Sequence, residues 1–250
     1  MRAIITYHSI DSSGSPVSLS KESFASHAGF LASGRVKVLP LATIMNGADD
    51  EDAVALTFDD GFRNFATQAL PVLRDNAMPA TVFVVSDAVG ASNAWGGRDE
   101  PGIPTLPLMD WDELQAVADA GFEIGAHTRR HPHLTNLSPT QLEDETAGCL
   151  ERIRAELGVR PSQFSYPYGD VNDTVARVAR TMFTHSVTTE HRLLAANEDM
   201  ALLPRLDAFY FRQPGTLDEW GSPGFRRRIW MRAQARRVRE LVSPQGGRDR

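Results

Sequence analysis

Residues 53 to 85 read AVALTFDDGFRNFATQALPVLRDNAMPATVFVV. The first six form a continuous run of strand length, consistent with a strand covered on both faces, and the run stops at Asp59, Asp60 and Gly61. From 62 to 76, Phe62, Phe65, Ala66, Ala69, Leu70 and Leu73 recur at helical spacing, and PATVFVV at 79 to 85 again has strand character. One strand, a helix and a second strand make a βα unit, which belongs to a parallel sheet.

The same alternation extends in both directions. Toward the N-terminus lie RAIITY at 2 to 7, a helix expected at 20 to 33 with Ser20 as its cap, and a short strand near Val36 to Leu39. Toward the C-terminus, residues 86 to 109 are rich in Gly, Pro, Asn and Ser without a period, which predicts a long loop of the kind that walls a site. Asp110 and Glu113 announce a helix at 111 to 120, and FEIGAH then runs to His127. Ser138, Pro139 and Gln141 open another helix that ends at Gly158. FSYP at 164 to 167, a helix at about 172 to 182, HSVTT at 185 to 189 and LLPRLDAF at 202 to 209 complete the series. Six to eight such units favour an α/β fold that curls into a barrel. The expected organisation is one domain over residues 1 to 224 and a basic helical tail at 225 to 250.

Composition agrees with an ordered globule. The chain has 250 residues, 42% hydrophobic and 23% charged, enough to bury roughly 75% of its unfolded surface without cross-links. The single Cys149 excludes an intrachain disulfide and a cysteine-rich zinc module, and its apolar helical context suits the core. No run of ~18 apolar residues is present, and MRAIITYHSI enters a β-rich segment instead of a secretion signal, so a cytoplasmic location is expected. Residues 225 to 250 hold nine Arg against Glu240 and Asp249, which leaves −13 on residues 1 to 224. An acidic body argues against nucleic acid as a partner. Arg226, Arg227, Arg228, Arg232, Arg236, Arg237 and Arg239, with Phe225, Ile229, Trp230, Val238 and Leu241 as a weak apolar stripe, form either a solvated or self-docked tail or a surface for anionic inner-leaflet lipid.

In sheets of this class the reactive groups sit at the C-terminal strand ends. Those ends are His8, the pair Asp59 and Asp60, His127 and His131 in HTRRH, Tyr166 to Gly169, and Arg205. If strand geometry persists, Asp59 and Asp60 diverge and serve separate jobs, one binding a cation and one moving protons. Asp49 and Asp50 read instead as a solvated turn. His127 and His131, four apart, can reach one ion, and two imidazoles with one carboxylate form a usual catalytic zinc set that leaves a position open. Cobalt, nickel or iron accept the same ligands. His27, His133, His185 and His191 have no spacing that singles them out.

TFDDG at 57 to 61, HTRRH at 127 to 131 and FSYPYG at 164 to 169 together resemble the polysaccharide deacetylases of the NodB-homology family, in that family's order and at similar separations. The resemblance covers some four fifths of the chain, and its FxYPYG form is similar to the branch acting on exopolysaccharides. It implies a distorted (β/α) barrel of about seven strands and hydrolysis of the N-acetyl amide of an amino sugar in a glycan. By residue, it implies Asp59 as base, Asp60, His127 and His131 as ligands of one divalent metal ion, and the backbone N–H of Tyr168 as an oxyanion donor. Two departures stand out. Where the family carries an Arg that orients the base, this chain has Ser165, and Arg205 is the candidate to replace it from another strand end. The family's Leu-x-His acid is missing, and His8 is the best substitute. Pro167 and Trp95 are the expected substrate contacts, Trp95 because it sits in the long loop, whereas Trp111 suits packing. Two other readings keep this sequence: a hydrolase of a small amide or cyclic imide on the same barrel, and a glycan-binding protein without turnover.

Overall fold

The structure, a computed structural model, describes residues 1–46 and 51–242. Asp49 and Asp50 lie outside the described residues, as do residues 243–250 of the expected tail. In chain order the elements are β1 (Arg2–Tyr7), β2 (Ser9–Ile10), β3 (Ser18–Leu19), α1 (Lys21–Ala32), β4 (Lys37–Val38), β5 (Ala53–Phe58), α2 (Leu70–Asp75), β6 (Thr81–Val84), α3 (Trp111–Asp119) and β7 (Glu123–Ala126). Then follow α4 (Pro139–Leu157), β8 (Gln163–Ser165), α5 (Asp173–Met182), β9 (His185–Val187), β10 (Leu206–Asp207) and α6 (Pro223–Val242).

Seven strands pair in the order β10-β1-β5-β6-β7-β8-β9, all in parallel. β1 covers one edge of β5 along its whole length, while β4 takes the start of the other edge at Ala53 and β6 takes its end at Thr57. Between β9 and β10 the gap is narrowed by a bridge from Val187 to Leu203 and by the Thr188 N–H donating to the Leu203 carbonyl at 2.8 Å. The sheet therefore curls into a distorted β/α barrel, the closure that the alternation favours and the form that the resemblance implies.

Successive strand side chains leave the sheet on opposite sides. Ile4, Ala53, Ala55, Phe83 and Val187 pack together inside the curl, whereas Ala3, Ile5, Val54, Leu56, Phe58, Val82 and Val84 belong to the larger core beneath the helices. Phe83 fills the middle of the barrel because Gly125 leaves room: a Cβ there would lie 2.4 Å from the Phe83 ring. The inward rows then continue past this plug as Thr6 and His8, Thr57 and Asp59, His127, Ser165 and Arg205. Period-two geometry thus converts an apolar barrel floor into a polar mouth.

The helices start where local chemistry satisfies their free N–H groups. Ser20 caps α1, Asp110 with Glu113 and Ser138 with Gln141 form capping boxes on α3 and α4, and Gly158 ends α4 at φ 68°. Caps of this kind contribute about 1 kcal/mol each. The expected helix at 62 to 76 is in fact a π-turn at Phe65–Ala69 leading into α2. Pro71 lacks an N–H and its ring crowds the carbonyl four residues back, and the wider turn accommodates it. The loop at 86 to 109 is stitched down: Gly90 N–H donates to Met109 O, Leu108 N–H to Ala91 O and Arg63 N–H to Pro107 O, at 2.9 to 3.0 Å. The C-terminal helix begins at Pro223, and its first turns are part of the core, with Phe225 buried against Phe211 and Trp220 and Ile229 buried one turn later.

Candidate active site

Asp59 continues the inward row of β5 and is buried. Arg205, almost fully buried, meets it with two parallel hydrogen bonds, Nη1 to Oδ1 and Nη2 to Oδ2, both at 2.7 Å. Nη2 also donates to Ser165 Oγ at 3.0 Å, and that hydroxyl donates to Asp59 Oδ2 at 3.1 Å. Nε is fixed on the Thr188 carbonyl at 2.9 Å. Burial alone would raise the pKa of Asp59, but the adjacent Arg205 charge and its hydrogen bonds hold the carboxyl far below the usual carboxylate range. Arg205 thus reaches Asp59 across the space that a residue as small as Ser165 leaves open. His8 Nε2 lies 3.9 Å from Asp59 Oδ2.

Asp60 does not diverge by pleat alternation. The strand ends at Phe58, and Asp60 at φ 71° with Gly61 at φ 74° makes a left-handed turn that brings the Asp60 side chain back into the mouth. A non-glycine residue pays for that backbone, commonly at functional positions. His131 and Thr128 also have positive φ, and the His131 N–H donates to Thr128 Oγ1 at 3.0 Å. His127 Nδ1 donates to the Ser165 carbonyl at 2.7 Å, which leaves Nε2 as the lone-pair side.

Asp60 Oδ1 lies 3.4 Å from His127 Nε2 and 3.5 Å from His131 Nε2. It is buried and has no hydrogen-bond partner among the described residues. Ligands held tetrahedrally at ~2.0–2.1 Å from an ion are roughly 3.3–3.4 Å apart, so these separations and the orphaned oxygen fit a divalent cation. The three ligand atoms all lie within 4.8 Å of one another. Burial favours neutral Asp60, and the two imidazoles reverse that and lower its pKa. Burial pushes His131 down to about 3, leaving it neutral.

These groups line one cavity of about 120 Å³ together with His8, Trp95, Tyr168 and Thr189. Trp95 stacks on His131 with ring centres 4.4 Å apart, and Tyr168 meets the same imidazole edge-on at 4.6 Å. Tyr168 sits at φ 59° and stacks on His133 at 4.2 Å, which gives that histidine a role in holding the wall. Pro167 is buried and is not among the lining side chains; it starts the turn that carries Tyr168. Trp111 packs against the core. Asn93, Glu100 and Ile103 also line the cavity and were not singled out in the sequence, since only the aperiodic loop that bears them signals their position.

The polysaccharide deacetylase family model matches residues 46–185, more than half of the chain. The putative polysaccharide deacetylase YxkH of Bacillus subtilis is 28% identical over 209 residues, covering 81% of this chain and 70% of that protein. Chitin deacetylase 1 of Cryptococcus neoformans is 29% identical over 133 residues, but those are 53% of this chain and only 24% of the relative. Among solved structures, the Streptococcus pyogenes deacetylase PplD in complex with acetate aligns with a TM-score of 0.69 at 20% identity, over 82% of this chain and 91% of that one. IcaB from Ammonifex degensii aligns with a TM-score of 0.68 at 22% identity, over 83% and 93%. These structures share the curled barrel. On the match across residues 46–185, the chain belongs to the polysaccharide deacetylase family.

Proposed function

We propose that this protein is a metal-dependent hydrolase that removes acetyl from an N-acetylated amino sugar in an oligo- or polysaccharide, of the exopolysaccharide type. The observation that carries the proposal is the unsatisfied Asp60 Oδ1 facing two imidazole nitrogens in the same cavity as an Arg-clamped Asp59. The cavity suits an acetamide, whose four heavy atoms need on the order of 100 Å³ at a liquid-like volume per atom, and leaves the sugar ring at its mouth. Family membership supports the class of reaction, and the FSYPYG form at 164 to 169 supports the exopolysaccharide type.

Asp60, His127 and His131 would hold the ion, zinc by the chemistry of the donors. A divalent cation supplies Lewis acidity there, polarising an acyl carbonyl and lowering the pKa of water. Asp59 accepts the proton of the attacking water, and Arg205 with Ser165 fixes the plane of its carboxylate. The Tyr168 backbone N–H donates to the oxyanion that forms on the acyl carbon, a contribution of about 10² to 10³ in rate. The amine leaves only when protonated, and His8, 3.9 Å from Asp59, is the group that delivers that proton.

We assign α6 a second role, as a contact with anionic membrane surface on the cytoplasmic side. The side away from Phe225 and Ile229 exposes Trp230, Met231 and Val238, at 62%, 46% and 58%, among arginines.

Acetate release from N-acetylglucosamine oligomers with added divalent metal tests the main proposal. Wild type should release acetate, chelation should stop it, and Asp59→Asn should abolish it while still binding metal. Glycan binding without acetate release in the metal-loaded wild type would favour a non-catalytic protein instead.

A further inference from the structure

A second cavity, of about 350 Å³, lies between the strand-end loops and α6, lined in part by Gly169, Thr189, Glu190, His191, Arg192 and Arg236. Thr189 lines both this cavity and the catalytic one, and its hydroxyl donates to the Tyr168 carbonyl at 3.4 Å. One residue therefore separates the two, and a sugar whose acetamide occupies the first has its neighbour or its substituent beside the second.

Two features of the lining call for a ligand. His191 is 2% exposed, and its Nδ1 accepts the Asp207 N–H at 3.4 Å. That fixes the ring proton on Nε2, a buried donor with no partner among the described residues. Burial, with Arg236 and Arg232 nearby, keeps the ring neutral by moving its pKa down to about 4. An unsatisfied buried donor costs about 1–3 kcal/mol, so it is met by an acceptor where one is available. The second feature is charge. Arg192 is held by both Glu190 and Glu198, whereas Arg236, whose charge acts on the buried Asp207, makes no ion pair of its own among the described residues. An N–H donor beside a guanidinium whose own N–H groups have no carboxylate in contact favours an acceptor that is negatively charged.

We propose that this cavity binds an oxyanion carried by the substrate next to the reacting sugar, either a carboxylate on the adjoining residue or a phosphate on the same glycan. This rests on the deacetylase reading for the identity of the substrate, but the anion site stands on its own geometry.

The test has a binding arm and a turnover arm. Calorimetry on the full chain should detect inorganic phosphate binding, weakened about tenfold in Arg236→Gln and in His191→Gln, the loss expected for one charge-assisted hydrogen bond. Absent binding in wild type, or binding in both variants as tight as in wild type, overturns the site. In turnover, acetate release is compared among neutral N-acetylglucosamine disaccharide, the same sugar joined to a uronic acid, and its 1-phosphate. Wild type should favour one charged compound about tenfold in kcat/KM, and Arg236→Gln should remove that preference while leaving the neutral compound unaffected. The favoured compound identifies carboxylate or phosphate, and equal rates for all three overturn the assignment. Phosphate binding that depends on Arg236 and His191, with no acetate from any compound, would support the anion site and refute the deacetylase reading.

Discussion

Arg205 spends its guanidinium on four partners, Asp59, Ser165, Thr57 and the Thr188 carbonyl, all at 3.2 Å or less. Such a pair adds little net stability relative to an apolar replacement, yet removing one member strands a buried charge. Arg205→Ala should therefore cost about 3–5 kcal/mol in urea unfolding, and adding Asp59→Ala should recover part of that loss. Under the proposed function, acetate release should fall at least ~10² in the single variant, because Asp59, the proposed base, loses its orientation. Full turnover with intact metal binding would refute the positioning role. The pairing was legible in outline: Ser165 marks where a guanidinium is absent, and Arg205 is a candidate because it stands at another strand end, although the two-pronged contact with Asp59 depends on the fold bringing Arg205 to Ser165, forty positions away. His8 and Arg205 also lie outside the residues that the family model matches. A second residue-scale prediction concerns His191, whose pKa falls from 6.5 to about 4 in the folded chain. Between those values the unfolded chain binds a proton that the native state does not, so the stability present above pH 6.5 is lost as pH falls through that window. The loss amounts to up to about 3 kcal/mol. His191→Gln should flatten the decline in unfolding free energy from about pH 7 to about pH 4.5, and an unchanged slope would show that other groups carry it.

At the level of elements, β5 and its neighbours were readable because two faces of a buried strand must both be apolar, and Asp59 and Asp60 end that run abruptly. The caps of α1, α3 and α4 were readable for a different reason, since Ser20, Asp110 and Ser138 act on N–H groups only three residues away. What escaped the sequence depends on distant contacts or on backbone sign. The left-handed turn at Asp60 overrides pleat alternation, and the π-turn before α2 answers a single proline. Gly125 belongs to this class: its lack of a side chain matters only because Phe83 of the next strand plugs the barrel. Gly125→Ala would press a methyl to 2.4 Å from that ring. Overpacking of this sort costs about 1–3 kcal/mol, so the variant should unfold at lower urea, and Phe83→Leu in the same chain should restore part of the loss. Because His127 follows two residues later on the same inward row, metal content of the variant should also fall. Unchanged stability would mean that Phe83 moves aside freely and is no plug.

For the whole molecule, charge is divided between an acidic barrel and a basic helix, and the helix is divided again by what it packs on. Phe225 and Ile229 tie α6 to the core, so it is not detachable, while Trp230, Met231 and Val238 face outward among arginines. Apolar side chains grouped on one helix face with arginines suit an interface with an anionic surface, and an arginine-rich surround excludes a basic one. Each basic residue near an anionic bilayer contributes about 1 kcal/mol, with an attraction that fades over a Debye length. Trp230 is a built-in reporter, since its indole would leave water on docking. Vesicles containing phosphatidylserine should shift its fluorescence to shorter wavelength, neutral phosphatidylcholine vesicles should not, and high salt should reverse the shift. Trp230→Ala should weaken vesicle binding while acetate release from a soluble oligomer stays unchanged, because the indole does not line the cavity that holds Asp59. Equal response to neutral and anionic vesicles, or none to either, would leave the arginines as a solvated face of a self-docked helix.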